Sequence, residues 1–140
     1  MIEVKNVSKS FDDKTILHNV SAQFRDGITN LIIGQSGSGK TVLMKSLVGL
    51  HTPDEGEILY AGRDLLKMNN NQRKALRKEI GMLFQGSALF DSETVLGNVM
   101  FPLKMFSDMS YEEQLERAHF CINRVNLVGA DDKYPSEISG

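Results

Sequence analysis

The chain has 140 residues, a formal net charge of −2, and a composition that is 41% hydrophobic and 24% charged. These values describe one globular domain rather than a disordered chain, and they give no broad electrostatic reason to expect a nucleic acid partner. The single Cys121 excludes an internal disulfide framework, no apolar run approaches a bilayer span, and Met1-Ile2-Glu3-Val4-Lys5 lacks a signal peptide's basic start and apolar core, so the expected location is cytoplasmic.

Ile2 and Val4 alternate with polar residues as in a strand, and Asp12-Asp13 mark a turn before the apolar pair Ile16-Leu17. A β-hairpin is expected next, because Val20 to Phe24 and Ile28 to Ile33 flank Asp26-Gly27, a dipeptide suited to the positive φ angles of a tight turn. Its second arm leads into Gly34-Gln35-Ser36-Gly37-Ser38-Gly39-Lys40-Thr41. That run fits Gly-x-x-x-x-Gly-Lys-[Ser/Thr], a phosphate-binding loop. Glycines let the backbone fold around an anion with successive N–H groups pointing inward, and the following helix adds its positive end. Lys40 is then expected to reach the β- and γ-phosphates and the Thr41 hydroxyl to bind Mg²⁺. The plainer alternative is a Gly/Ser turn that happens to precede a lysine. Leu31-Ile32-Ile33 before it and Val42-Leu43-Met44 after it supply the strand and helix that the motif requires. It is not a dinucleotide fingerprint, since Val42 stands where the third glycine would be.

The helix after the loop is expected to lay Val42, Leu43, Leu47 and Leu50 on a sheet and to end near Gly49, ahead of a Pro53-Asp54-Glu55-Gly56 turn. Ile58-Leu59-Tyr60 reads as a short strand closed by Ala61-Gly62. Asn69-Asn70-Asn71 can cap a short helix bearing Arg73, Lys74, Arg77 and Lys78. That basic cluster suits a solvated helix face, with a membrane-facing or partner role as the alternative. Ile80 to Phe84 suits a buried parallel strand, and Gln85 directly after it could leave the sheet edge to meet Mg²⁺ or an attacking water, the plainer alternative being a glutamine that merely ends a strand. Ser110-Tyr111-Glu112-Glu113 fits a capping box, and Leu115, Ala118, Ile122 and Val125 follow at helical spacing, so a helix is expected from about Ser110 to Asn126.

Other chemistry is thin. His18, His51 and His119 are scattered, and His119 with Cys121 has no second pair at zinc-ligand spacing. Cys121 suits a small packed side chain, and Met82, Met100, Met105 and Met109 suit adaptable packing or a partner surface. Phe11 can stack on an adenine ring or pack in the core. No Asn-Lys-x-Asp guanine-reading motif occurs.

Taken in order, these positions resemble the nucleotide-binding domain of ABC transporters. Val7 to Phe11 is similar to the family's adenine-stacking loop, Gly34 to Thr41 to its Walker A loop, Gly56 to Asp64 to its Gly-x-Ile strand and turn, and Ile80 to Gln85 to its Q-loop. Tyr134-Pro135-Ser136-Glu137-Ile138-Ser139-Gly140 resembles the lead-in to the Leu-Ser-Gly-Gly signature, which in the family closes over ATP held by the other subunit. The resemblance implies an α/β P-loop NTPase fold of the ABC ATPase type. Residues 1–100 would hold the antiparallel β subdomain and the P-loop core, with part of its parallel sheet, through the Q-loop region. Residues 101–140 would begin the helical subdomain, with the C-terminal part of the core absent.

The resemblance also implies ATP and Mg²⁺ as ligands. Nucleotide contacts would come from Phe11, Gly34, Gln35, Ser36, Gly37, Ser38, Gly39, Lys40, Thr41, Ser139 and Gly140. Lys40 and Gln85 would take catalytic roles, and Thr41 and Gln85 would be the metal contacts. The implied partners are a second copy and a membrane permease meeting the region after Gln85, with the chain peripheral on the inner face of the membrane. Gly86 to Ser92, followed by Thr94-Val95, Asn98-Val99 and Phe101-Pro102-Leu103, is similar to Mla-type, Mce-linked ATPases of phospholipid transport. Within these residues no apolar strand ends in the Walker B aspartate and catalytic glutamate, so the polypeptide as written is expected to hydrolyse ATP poorly and to aggregate through uncovered apolar surface. A non-catalytic nucleotide-binding or interaction module is the alternative.

Overall fold

In the computed structural model, which describes residues 1–84, 86 and 88–138, the alternation beginning at Ile2 runs on into β1, Ile2–Phe11, which pairs antiparallel with β2, Lys14–Phe24. Asp12, at φ 50°, makes the connecting turn. The hairpin therefore lies one connection earlier than the sequence suggests. Asp26-Gly27 does turn, with Gly27 at φ 72°, but residues 28–33 form no strand among the described residues. The Asn30 side chain explains the difference. It accepts from the Arg25 N–H at 3.3 Å and donates to the carbonyls of Arg25 at 3.0 Å and Ile28 at 3.2 Å, occupying groups that the first rungs of a ladder would use.

The sheet is completed by β3, Glu55–Tyr60, and β4, Arg63–Asp64, in the order β2-β1-β3-β4 with every pair antiparallel. The β1–β3 register slips between Lys5 and Ser8, and Gly56 sits opposite the slip at φ 94°. A Cβ there would lie 2.5 Å from the carbonyl oxygens of both Lys5 and Asn6, so only glycine lets the strands approach.

Helix α1, Lys40–Leu47, buries Leu43 and Leu47 against the sheet, where Val4, Val7, Leu17 and Ile58 complete the core. The Tyr60 hydroxyl donates to the Leu47 carbonyl at 2.7 Å, tying β3 to a helix end that would otherwise present an unpaired acceptor. Leu50, expected on the same face, is half exposed. The helix ends before it, and the N–H groups of Leu50 and His51 both return to the Lys45 carbonyl. Helix α2, Asn70–Lys78, opens with a capping box between Asn69 and Gln72 and buries Leu76. Of its basic residues, Arg73 donates to the Leu66 carbonyl and Arg77 to that of Gly49, so the basic face is in part tied into the fold. Ile80 to Phe84 is not a strand: Leu83 is 98% exposed, and no neighbouring strand pairs with this run among the described residues.

Residues up to Met82 form one compact unit and those from Leu83 on a second. The second is helical. Helix α3, Val95–Phe106, has Thr94 as its N-cap, accepting from the Gly97 N–H at 3.1 Å, and contains Pro102. The Val95 and Leu96 N–H groups are satisfied by the carbonyls of Lys133 and Asp131. Helix α4, Tyr111–Arg124, has the expected capping box of Ser110 with Glu113 and buries Ala118 and Ile122. Val125, included in the expected helix, caps its end and is 63% exposed. A small core of Val95, Ile122 and Ala130 joins the two helices to the 125–133 segment.

Candidate functional site: a phosphate loop and an aromatic ring on the sheet

The glycine-rich run forms a tight loop between the sheet and the start of α1. Gly37 and Gly39 take φ angles of 77° and 89°, and the Ser38 N–H donates to the Gln35 carbonyl at 3.2 Å. Open space surrounds the missing Cβ of Gly37, so its requirement is conformational. Gly39 is constrained by packing as well. It is buried, and a Cβ would meet Leu17 Cδ2 at 3.0 Å and Ile16 Cγ2 and O at 3.2 Å, which docks the end of the loop on β2. A Cβ on Gly34 would stand 2.7 Å from Ser38 Oγ. Gln35, Ser36 and Ser38 are exposed along the loop.

Lys40 folds back across the loop it follows. Its Nζ donates to the Gly34 carbonyl at 2.7 Å and the Gln35 carbonyl at 2.6 Å, which fixes the ammonium at the loop mouth. Among the described residues, no backbone hydrogen bond engages the N–H groups of Ser36, Gly37, Gly39 or Lys40. Free backbone donors, the N-terminal end of α1 and a fixed ammonium together form an arrangement whose chemistry suits a multiply charged oxyanion. Thr41, in the first turn of α1, is exposed beside them.

No group of three or more His, Cys, Asp or Glu able to hold a metal occurs among the described residues. A lone threonine hydroxyl next to an oxyanion cradle fits a Mg²⁺ held chiefly by phosphate oxygens, not one caged by the protein alone.

Phe11 lies at the turn end of β1, paired with Lys14 of β2, and is 38% exposed. Its ring meets the His51 imidazole edge-on, and the Lys9 ammonium stands over it. Lys9 Nζ in turn donates to Asp54 Oδ1 at 2.6 Å, while Asp54 Oδ2 accepts from the Ser10 N–H at 2.7 Å. The Lys9 ammonium, with help from the Ser10 N–H, holds the Asp54 carboxyl below the usual carboxylate range. Sequence reasoning found Phe11 and the loop but treated His51 as isolated and Asp54 as a turn residue. Their contacts span 40 and 44 positions, and only the proximity of Pro53 hinted at a structured turn. Gln85, Ser139 and Gly140 lie outside the described residues.

In the second unit, Asn98 organises the segment ahead of α3. It accepts from the Phe90 N–H at 2.7 Å and donates to the carbonyls of Phe90, Glu93 and Thr94 at 3.0 to 3.1 Å. Phe90 and Phe101 meet edge-on with centroids 4.7 Å apart, and both are more than 40% exposed. No helix among the described residues is long and apolar enough to cross a membrane.

A loop of this geometry, set between a β layer and the helix it opens, defines a nucleotide-binding α/β domain of the phosphate-loop class. The pattern of the ABC transporter family matches residues 17–140, and the chain belongs to that family as an ATP-binding domain. It is 38% identical to the methionine import ATP-binding protein MetN of Clostridium tetani, over all of this chain and 44% of that protein. It is 36% identical to the intermembrane phospholipid transport system ATP-binding protein MlaF of Haemophilus influenzae, over all of this chain and 53% of that one. The chain thus spans about half the length of such relatives. Among solved structures, the ATP-binding cassette MJ0796, in a dimeric post-hydrolysis state bound to ADP and Pi, superposes with a TM-score of 0.86. The match has 29% identity and covers 99% of this chain and 63% of that one.

Proposed function

We propose that the chain is the ATP-binding part of a transporter's motor subunit, in which Gly34 to Thr41 takes the triphosphate and Phe11 takes the adenine. The observation that carries this reading is the Lys40 ammonium, held 2.6 to 2.7 Å from two carbonyls of its own loop beside unengaged backbone N–H groups. A phosphate entering the loop gains those donors together with a fixed positive charge. Thr41, and Gln85 by family resemblance, would hold Mg²⁺, which when bound offsets charge on the phosphate oxygens.

Calorimetric titration with ATP tests the reading. Lys40→Ala is expected to raise Kd on the order of a hundredfold, the loss of about 2 to 3 kcal/mol of charge-assisted hydrogen bonding. An unchanged Kd would remove the loop from the site. Gln85→Ala in a complete transporter is expected to weaken Mg²⁺-dependent coupling and leave ATP binding mostly intact. The 140 residues by themselves are expected to bind ATP without steady turnover, and a turnover rate abolished by Lys40→Ala would overturn that expectation.

For the cargo we favour phospholipid. The reading is supported by the run from Gly86 to Leu103 and by the 36% identity to MlaF. The 38% identity to MetN supports methionine as the second reading. Export or import assays in vesicles carrying the assembled transporter separate the two. The remaining partners in this reading are a second copy, whose Ser139 and Gly140 counterparts face the nucleotide, and a membrane permease that would hold the chain on the inner face of the membrane. The exposed Phe90 and Phe101 surface braced by Asn98 is our candidate for the permease contact.

A further inference from the structure

Phe11 owes its orientation to side chains from outside its own turn. The His51 ring meets it with centroids 5.1 Å apart and planes at 74°, and Lys9 Nζ stands 5.3 Å from its centroid. Lys9 is not an ordinary surface lysine, since its side chain is only 17% exposed and its ammonium is paired with Asp54. The same carboxylate accepts from the Ser10 N–H, so one side chain fixes the two residues directly ahead of Phe11. The Asp54 N–H donates to the Ser8 carbonyl at 2.9 Å, which holds the segment carrying the carboxylate against β1.

These contacts leave the ring 38% exposed, where a core phenylalanine would be covered. A cation on one face of a benzene ring draws π density toward itself, which favours stacking of an electron-rich heterocycle on the other face. The ring also stands near the phosphate loop. Phe11 pairs with Lys14, and Ile16, two residues or about 7 Å along the same strand, supplies the carbonyl that a Cβ on Gly39 would meet at 3.2 Å.

We infer that Lys9, Asp54 and His51 are positioning residues that hold the Phe11 ring as a shelf for the nucleotide base, so that base affinity depends on this group while phosphate affinity depends on the loop. The inference rests on the nucleotide reading above and deepens it. It is tested on the purified chain by titration with ATP and, separately, with inorganic tripolyphosphate, which has the phosphates but no base. Lys9→Met and His51→Ala are each expected to raise the Kd for ATP about three- to tenfold and to leave that for tripolyphosphate unchanged. His51→Phe, which keeps an aromatic edge against Phe11, is expected to retain ATP binding. Circular dichroism establishes that each variant is folded, and Lys9→Met carries the test alone if His51→Ala is not.

Equal weakening toward both ligands would reduce the group to a structural one and overturn the inference. Unchanged ATP binding in both variants, with Phe11→Ala weakening ATP alone, would overturn the positioning roles and leave Phe11 as the base contact. Unchanged ATP binding in Phe11→Ala would overturn the shelf itself, and the nucleotide reading would then stand or fall with Lys40→Ala, which should weaken both ligands.

Discussion

Val7 and Ile33 both belong to β-branched stretches of strand-like composition in the same unit, yet Val7 is fully buried and Ile33 is 84% exposed. The difference lies in what surrounds them. Val7 lies on a strand paired on both sides, by β2 and by β3, with Leu43 and Leu47 of α1 in the same core. Ile33 follows a turn whose ladder groups are taken by Asn30, and it meets no strand among the described residues. Leu83, in the second unit, repeats the contrast at 98% exposure. Apolar character states a demand for burial, and whether the demand is met depends on backbone partners elsewhere. Runs of this kind in α/β proteins are satisfied by parallel neighbours and by helices on both faces.

The contrast predicts a wide spread of mutational effects at similar residue types. Gly56→Ala should be the most damaging, at least about 3 kcal/mol, because its Cβ would stand 2.5 Å from two backbone oxygens at a positive φ. Gly27→Ala, with nothing within 4 Å, should cost only about 1 kcal/mol from the same left-handed strain. Ile58→Ala should cost about 3 kcal/mol, since the side chain is fully buried in the sheet core. Ile33→Ser and Leu83→Ser should fall within about 0.5 kcal/mol of the parent and lengthen the lag before aggregation by light scattering. Urea midpoints at constant m-value rank the series. A drop for Ile33→Ser as large as that for Ile58→Ala would mean that Ile33 is packed in solution.

What could be read in the sequence was what is local. The Ser110/Glu113 capping box spans three residues and forms, and of the caps offered by Asn69-Asn70-Asn71 it is Asn69 that serves, with Gln72 as a partner the sequence reading did not name. The Gly34 to Thr41 loop encodes its own conformation through Gly37 and Gly39. Helix α3 was hidden by Pro102, which stands eighth of its twelve residues, where a proline ordinarily breaks a helix, although Thr94 ahead of it is a serviceable cap. The misplaced hairpin shows the limit of a local turn signal. Asp26-Gly27 turns as its chemistry demands, but which strand β2 pairs with is decided by β1, upstream. The surroundings of Phe11 were equally out of reach, because the carboxylate that fixes Ser10 comes from 44 residues away.

A smaller effect isolates the link between sheet and helix. Tyr60→Phe removes only the hydroxyl that caps the Leu47 carbonyl and should cost about 1 kcal/mol at neutral pH. Burial raises the Tyr60 pKa above its ordinary value of 10.0, so the folded state resists ionisation more than the unfolded chain does. The parent's stability should therefore be undiminished below pH 10 and fall above it, while Tyr60→Phe should lack that alkaline decline. Parallel alkaline limbs in the two proteins would place the hydroxyl in water.

The smallest effect belongs to the exposed carboxylates, and it has the opposite sign. The Lys9 ammonium lowers the Asp54 pKa from its ordinary 3.8, and the Arg63 guanidinium, bound through both nitrogens, lowers that of Glu79 from 4.5. Each folded carboxyl holds its proton less tightly than the unfolded one. Their contribution is complete above those ordinary values and is lost as pH falls toward the folded pKa values. Both groups are open to solvent, so the acid limb should be shallow and should flatten further in high salt. Asp54→Asn and Glu79→Gln should each remove part of the slope. Because the two pairs share no partner, the double variant should remove the sum. A double variant whose acid limb matched the parent's would show that neither pair is formed in solution. The Lys9 ammonium would then lose the anchor that sets it over Phe11.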